Sequence, residues 1–297
     1  MTSNLTKCSS MSIEELLAQK RVLVVGVCNV TPDSFSDGGK FLDTKKAVAH
    51  AESLFEQGAD IVDIGGESTG PGSKPVSASV ESERVLEVVE AVSKLGVVSV
   101  DTYKSVVAKS CIQAGASIIN DVSALQADPA MANTIAESNS WVILMHNREL
   151  SLPHANSSPA TLTRTDSSAK IDIIERIKQN LSKRVEKAFS SKIPAERIIL
   201  DPGMGAFIDN KPGSSWELLG RFEEVCESFK QFPVMVGTSR KGFLGGQYPE
   251  GQLEKRDPLS QYTALLAAEK GARLIRTHRP DMAVSFLEAR DKILGLP

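Results

Sequence analysis

Cysteine is scarce in this chain, charge of either sign is nearly balanced, and no long hydrophobic run is present. The four cysteines, Cys8, Cys28, Cys111 and Cys226, are widely spaced, and no pair has metal-ligand spacing. Free thiols in a reducing, cytoplasmic setting are therefore the expectation. No apolar run approaches the ~20 residues of a membrane span, so no membrane partner is expected. A net charge of -3 over 297 residues lacks the basic excess of a nucleic-acid-binding surface. It leaves room for a local basic pocket that takes a phosphorylated small molecule. The first twenty residues have no apolar centre of a secretory signal. They are Ser/Thr-rich with no acid before Glu14, a composition shared with organellar transit peptides. Ser12 followed by Glu14-Glu15-Leu16-Leu17 reads instead as a short capped helix. Residues 1–20 are taken as an N-terminal extension, and 21–297 as one domain.

What the chain does have is alternation. Strands are predicted at 21–28, 60–65, 96–101, 117–121, 140–145, 197–201, 233–238 and 272–277. Helices are predicted between and after them, at 43–57, 80–94, 103–114, 128–138, 170–189, 214–230, 258–270 and 280–294. The strands are continuous Val/Ile/Leu runs, as when both faces are buried. Gly58, Gly115 and Gly271 each close a helix just before a strand, where a left-handed C-cap is wanted. Eight βα units in a chain of this length point to an α/β fold of the (β/α)8 TIM-barrel type with one core. A doubly wound open sheet is the competing topology. It usually has fewer strands, and no Gly-rich dinucleotide fingerprint follows the first strand.

Polar residues gather at one end of this pattern. Asn29, Asp63, Asp101, Asn120, His146, Asp201, Ser239, Arg276 and His278 all fall at or just past strand C-termini, the ligand-holding end of such a barrel. The first strand runs into Asn29-Val30-Thr31-Pro32-Asp33-Ser34-Phe35-Ser36-Asp37-Gly38-Gly39, a loop that Pro32 and the Gly pair keep out of helix and strand. An ordinary strand exit explains the glycines but not two acids, three hydroxyls and a Phe in one loop. The irregular segment 147–169 reads as a lid or a disordered insertion. No Ser-His-Asp or Cys-His nucleophile pair is evident.

The Asn29 stretch resembles the signature of dihydropteroate synthases, the folate-pathway enzymes that join a pterin to p-aminobenzoate. The family's other segments recur in order. They are Asp63-Ile64-Gly65-Gly66-Glu67-Ser68-Thr69, Val98-Ser99-Val100-Asp101-Thr102, Ile119-Asn120-Asp121-Val122-Ser123, Leu144-Met145-His146, Leu200-Asp201-Pro202-Gly203-Met204-Gly205, Thr238-Ser239-Arg240-Lys241 and Ile275-Arg276-Thr277-His278. The resemblance implies condensation of 6-hydroxymethyl-7,8-dihydropterin pyrophosphate with p-aminobenzoate to give 7,8-dihydropteroate and pyrophosphate. It implies a pterin set of Asp101, Asn120, Asp201, Lys241 and Met145. Asn29, Arg276 and His278 fall to the pyrophosphate, with Asn29 also on a magnesium cofactor. Phe35, Thr69, Pro71, Ser239 and Phe207 fall to the aminobenzoate. Asp101, Lys241 and Asn29 are the implied catalytic residues, and a homodimer the implied assembly. For each strand-end residue the alternative is a buried polar group tying strand to loop. Arg240 is expected in a structural ion pair.

Two segments depart from the family pattern. Gly70 stands where the family usually has Arg after Ser68-Thr69, with Lys74 nearby as a partial replacement. Ala206-Phe207-Ile208-Asp209 follows Gly205 where Phe-Gly-Lys is usual, so the aromatic is displaced by one residue. Both resemble the sulfonamide-insensitive branch of the family and raise the expectation of sulfonamide tolerance. Phe207 is either a wall of the pocket or core beneath the loop. Two other functions share part of the pattern: a pterin-binding methyltransferase domain, and a non-catalytic pterin-binding protein. The first has no use for Ser239-Arg240-Lys241 or for Arg276 and His278.

Overall fold

The inner face of the barrel is set by simple alternation along its strands. The computed structural model describes residues 11–31, 40–68, 73–148, 172–209, 211–245 and 250–296. Its strands are β1 (Leu23–Asn29), β2 (Ile61–Gly65), β3 (Val97–Asp101), β4 (Ile118–Asp121), β5 (Trp141–Met145), β6 (Ile198–Asp201), β7 (Met235–Val236) and β8 (Leu274–Thr277). All pair in parallel, in the order β6-β5-β4-β3-β2-β1-β8-β7. A bridge between Leu200 and Val234 closes β7 back onto β6. The closed ring bears out the (β/α)8 expectation.

Side chains of a strand alternate between faces. One set is Val24, Cys28, Val62, Ile64, Val98, Val100, Ile119, Val142, Leu144, Ile198, Leu200, Val236 and Ile275, which pack in the cluster shared with the surrounding helices. The other set begins with Leu23, Val25, Ile61, Val97, Ile118, Trp141, Ile143, Ile199, Met235 and Leu274, which fill the lower barrel. Further along the same face it continues as Asp63, Asp101, Asn120, Asp201 and Arg276. An apolar plug thus sits beneath a polar mouth.

The plug is sealed from below by α1 (Ile13–Ala18), whose Ile13 and Leu16 join the same cluster. Ser12 and Glu15 form a reciprocal capping box there, as the sequence foresaw. Trp141 Nε1 donates to Glu14 at 2.6 Å, tying this helix to β5. Residues 13–18 therefore share the barrel's core.

The outer layer comprises α2 (Lys40–Glu56), α3 (Ala78–Val92), α4 (Ser105–Gln113), α5 (Met131–Ala136), α6 (Ile173–Ser190), α7 (Pro212–Gly220), α8 (Phe222–Ser228), α9 (Asp257–Glu269) and α10 (Pro280–Leu294). The glycine C-caps are as expected: Gly58, Gly115 and Gly271 have φ of 94°, 109° and 104°. A Cβ at Gly115 would lie 2.6 Å from Ser93 Oγ, so the site excludes a side chain for space as well as for backbone.

Two elements differ from expectation. The helix predicted at 214–230 is two, α7 and α8, broken where Arg221 leaves helical geometry at φ −118°, ψ 23°. Its guanidinium binds Asp172 at the start of α6 as well as Glu217 and Glu224, so tertiary ion pairs hold the break. The strand predicted at 233–238 is shorter: Val234 bridges to Leu200, Met235–Val236 pair with β8, and Gly237 and Thr238 lie beyond the ladder. Among the described residues no helix is long and apolar enough to cross a membrane.

Candidate active site

Strand register brings the predicted polar residues into one layer. Asn29 is level with Gly65, Gly65 with Asp101, Asp101 with Asn120, and Met145 with Asp201. Gly65 leaves space between its neighbours: a Cβ there would lie 3.5 Å from the Asp101 Cβ and 3.8 Å from Asn29 Oδ1. Arg276 reaches across this layer from β8. Its Nε donates to Asp63 Oδ2 at 2.7 Å and its Nη2 to Asp101 Oδ2 at 3.0 Å. Asn120 Nδ2 donates to the same Asp63 oxygen at 3.0 Å. Asp201 Oδ1 accepts from Gly203 N at 2.8 Å, so this carboxylate shapes its own turn while facing the mouth.

Lys241 completes the constellation from the loop after β7. Its ammonium lies 5.0 Å from the Phe207 ring centroid. Phe207 itself is buried, packed with Met145 and Val122. Phe207 is thus buried while adjoining Lys241 and Met145, two of the predicted pterin residues. Ser239 and His278 are brought together too. His278 N donates to Ser239 Oγ at 3.2 Å, and that hydroxyl lies 2.9 Å from His278 Nδ1. Arg240 makes the expected ion pair, donating through Nε and Nη2 to Asp257 at 2.8 Å each. It does so from a left-handed backbone, φ 57°.

Low solvent access moves the charges of these groups. Burial raises the Asp101 carboxyl to about 7, with Arg276 pulling the other way and Asp63 adding to the rise. Burial raises Asp201 to about 6 against the hydrogen bond from Gly203. Burial lowers the Lys241 ammonium to about 8, with Arg276 adding to the fall. Burial lowers His278 to about 3, reinforced by Arg240 and Arg276. The imidazole beside Arg240 and Arg276 is therefore neutral near pH 7. Burial likewise lowers His146 to about 4, and its backbone N donates to Asp201 O at 2.7 Å. Cys28, Cys111 and Cys226 are free, and burial pushes each thiol up to about 12, so none of the three is a thiolate nucleophile.

Some expectations fall outside the described residues: Phe35, Thr69, Gly70, Pro71 and most of segment 147–169. Lys74 is described and exposed. Sequence reasoning gave no role to Asp63 or to Glu67. Glu67 accepts from Val76 N at 2.9 Å, from Lys104 Nζ at 2.6 Å and from the Tyr103 hydroxyl at 2.7 Å. Lys104 also pairs with the buried Glu81. The available signal was a carboxylate placed on the inward alternation of β2, where Asp63 follows Ile61 and precedes Gly65.

A family described as "Pterin binding enzyme" matches residues 25–278. Dihydropteroate synthase of Bacillus subtilis is 37% identical over 295 residues, covering 98% of this chain and 93% of that protein. The structure of a Xanthomonas albilineans dihydropteroate synthase with 4-aminobenzoic acid superposes with a TM-score of 0.81 at 35% identity, covering 93% of this chain and 94% of that one. The same enzyme in complex with 7,8-dihydropteroate gives a TM-score of 0.78 at 33% identity, covering 93% and 95%. The polar barrel mouth, with this similarity running through nearly the whole length, places the chain in the pterin-binding enzyme family, among the dihydropteroate synthases.

Proposed function

We infer that this protein condenses 6-hydroxymethyl-7,8-dihydropterin pyrophosphate with p-aminobenzoate, giving 7,8-dihydropteroate and pyrophosphate. The observation that carries the reading is the Asp101–Arg276–Asp63–Asn120 network, with Lys241 and Asp201 beside it, at the C-terminal mouth of the barrel. Asp101, Asn120 and Asp201 supply acceptors for the amino and N–H groups of a pterin edge, and Met145 and Lys241 border its ring. Arg276 offers a planar fork to phosphate oxygens. Ser239 and His278 stand beside it, where the hydroxyl also suits the aminobenzoate carboxylate. Thr69, Pro71 and Phe35 are assigned to the aminobenzoate by resemblance alone, and Phe207 by resemblance together with its place beside Lys241.

The reaction is an alkyl transfer. The bond between the exocyclic methylene carbon and the pyrophosphate oxygen breaks, and its electron pair leaves with the pyrophosphate beside Arg276. The ionised Asp101 carboxylate offsets positive charge developing on the methylene and ring. The arylamine lone pair forms the new C–N bond and the amine then gives a proton to solvent. A weakly basic aromatic amine needs no strong base.

Magnesium fits the donor set in a limited way. Asn29 presents an exposed amide at the mouth. Among the described residues no group of three or more His, Cys, Asp or Glu is arranged for an ion. Magnesium usually binds through few protein oxygens, substrate phosphate and water. Asn29 with the pyrophosphate would hold it, and when bound it neutralises charge on the leaving group.

The test is direct: pyrophosphate release by the purified protein when both substrates are present. Release from neither substrate alone but from the pair is expected; binding of pterin without release would leave a non-catalytic pterin-binding protein. The pH profile adds a sharper check. Asp101 must be ionised and Lys241 protonated, so kcat/KM is expected to rise toward pH 7 and fall above about 8. Lys241→Arg, which stays charged, is expected to remove the alkaline limb; a limb that persists unchanged would assign it elsewhere.

Sulfonamide tolerance belongs to this reading through Gly70 and Ala206-Phe207; inhibition constants measured against aminobenzoate decide it. A homodimer is supported by apolar side chains exposed on α9 and α10, including Tyr262, Leu266, Ile293 and Leu294. Sedimentation across concentrations tests it. A cytoplasmic setting accords with the free thiols.

A further inference from the structure

We propose that Asp63 is a positioning residue for this reaction: it fixes which edge of the Asn120 amide faces the pterin and holds the Arg276 fork toward the leaving group. The proposal rests on the reading of the site given above.

Asp63 is 1% exposed and sits two residues below the tip of β2, beneath the layer of Asp101 and Asn120. An ionised carboxylate only accepts hydrogen bonds. The Asn120 side chain offers one acceptor and one donor group, and only its Nδ2 can bond to Asp63, as it does at 3.0 Å. This leaves Asn120 Oδ1 as the edge for a ligand, and a ligand with amino and N–H groups needs that acceptor. A flipped amide would set acceptor against acceptor at Asp63 and donor against donor at the ligand. Asp63 thus acts on recognition without being the group that the ring meets.

The same Asp63 oxygen takes Arg276 Nε at 2.7 Å, while Asp101 takes Nη2 at 3.0 Å. A guanidinium has five N–H donors in a fixed plane. Two of its edges are committed to the floor of the pocket, which leaves Nη1 and the second Nη2 hydrogen for phosphate oxygens. A long side chain held at two points loses little freedom on binding. One carboxylate oxygen therefore couples the ring half of the pocket to the leaving-group half, through residues 57 and 213 positions away along the chain.

The test uses two variants and two ligands, with affinities measured by titration in the absence of aminobenzoate so that no turnover intervenes. The ligands are the pterin alcohol and the pterin pyrophosphate. Asp63→Asn is close in shape but no longer dictates the amide orientation. It is expected to bind the alcohol at least roughly tenfold more weakly, the size of one lost charge-assisted hydrogen bond. The further gain in affinity given by the pyrophosphate should also shrink. The double variant Asp63→Asn/Asn120→Asp keeps the charge count and restores the pair with residue 120, since Asn at 63 donates to the carboxylate there; the same NH2 cannot accept from Arg276 Nε, so the pyrophosphate gain should stay reduced. That carboxylate still turns an acceptor to the ligand. Affinity for the alcohol should return to within a few-fold of wild type, which a merely structural role for Asp63 does not foresee. A folded double variant as weak as the single one would overturn the assignment. So would an Asp63→Asn protein with unchanged affinity for both ligands. If the single variant fails to fold, the double variant carries the test alone. Wild-type pyrophosphate release is assayed separately: its absence would sink the function proposed for the site, while alcohol binding would still report on Asp63.

Discussion

Asp101→Asn is expected to lower turnover by ~10²–10³-fold or more while the protein stays folded. The exchange keeps the size of the side chain and an oxygen for Arg276 Nη2, now at 3.0 Å from Asp101 Oδ2. It removes the fixed negative charge that faces a developing cation. The effect on stability has the opposite sign. Burial raises the Asp101 carboxyl to about 7, so the folded state holds its proton more tightly than the unfolded chain. The stability this group contributes is present below its unfolded value, near 4, and is lost as pH rises to about 7. A neutral Asn has no such loss. The variant should therefore melt no lower than wild type at pH 8, with its turnover gone. Pyrophosphate release beside thermal unfolding checks both halves; near-normal turnover in a folded variant would remove Asp101 from the mechanism.

Arg276→Ala is expected to damage both binding and stability. The guanidinium bridges Asp63, which is fully buried, and Asp101. Removing one partner of a buried pair leaves uncompensated charge and costs ~3–5 kcal/mol. The side chain of Arg276 is 20% exposed, so the low end applies, about 3 kcal/mol by urea unfolding. Arg276 also holds the Asp101 carboxyl down against the rise that burial causes. Without it the acid limb of the activity profile should move to higher pH. Affinity for the pterin pyrophosphate should fall by a further ~1.5–3 kcal/mol relative to the pterin alcohol. Equal losses for the two ligands would place Arg276 away from the pyrophosphate.

Much of this was legible in the sequence, for identifiable reasons. Continuous Val/Ile/Leu runs and a glycine at three helix exits are local signals, and Gly58, Gly115 and Gly271 adopt the backbone they imply. The strand ends carried the polar residues because a side chain's face is fixed by counting in twos. Arg240 was read as structural, and it is paired with Asp257. The break at Arg221 had one local signal, Gly220 just before it, but the Asp172 partner that Arg221 pairs with lies 49 residues away and no local pattern shows it. Phe207 had two readings in sequence, and its place beside Met145, Val122 and Lys241 came only from tertiary packing.

The amino-acid sequence alone determined the βα alternation, the mouth at which chemistry is placed, and the family, since these follow from periodicity and from motifs each contained within a few residues. Tertiary structure decided how the charges are used. That Asp63 serves both Asn120 and Arg276, that His278 is neutral, and that Asp101 and Lys241 titrate near neutrality are properties of groups brought together by closure of the barrel. No local pattern encodes them, because desolvation and charge coupling depend on what surrounds a group in space rather than on what flanks it in the chain.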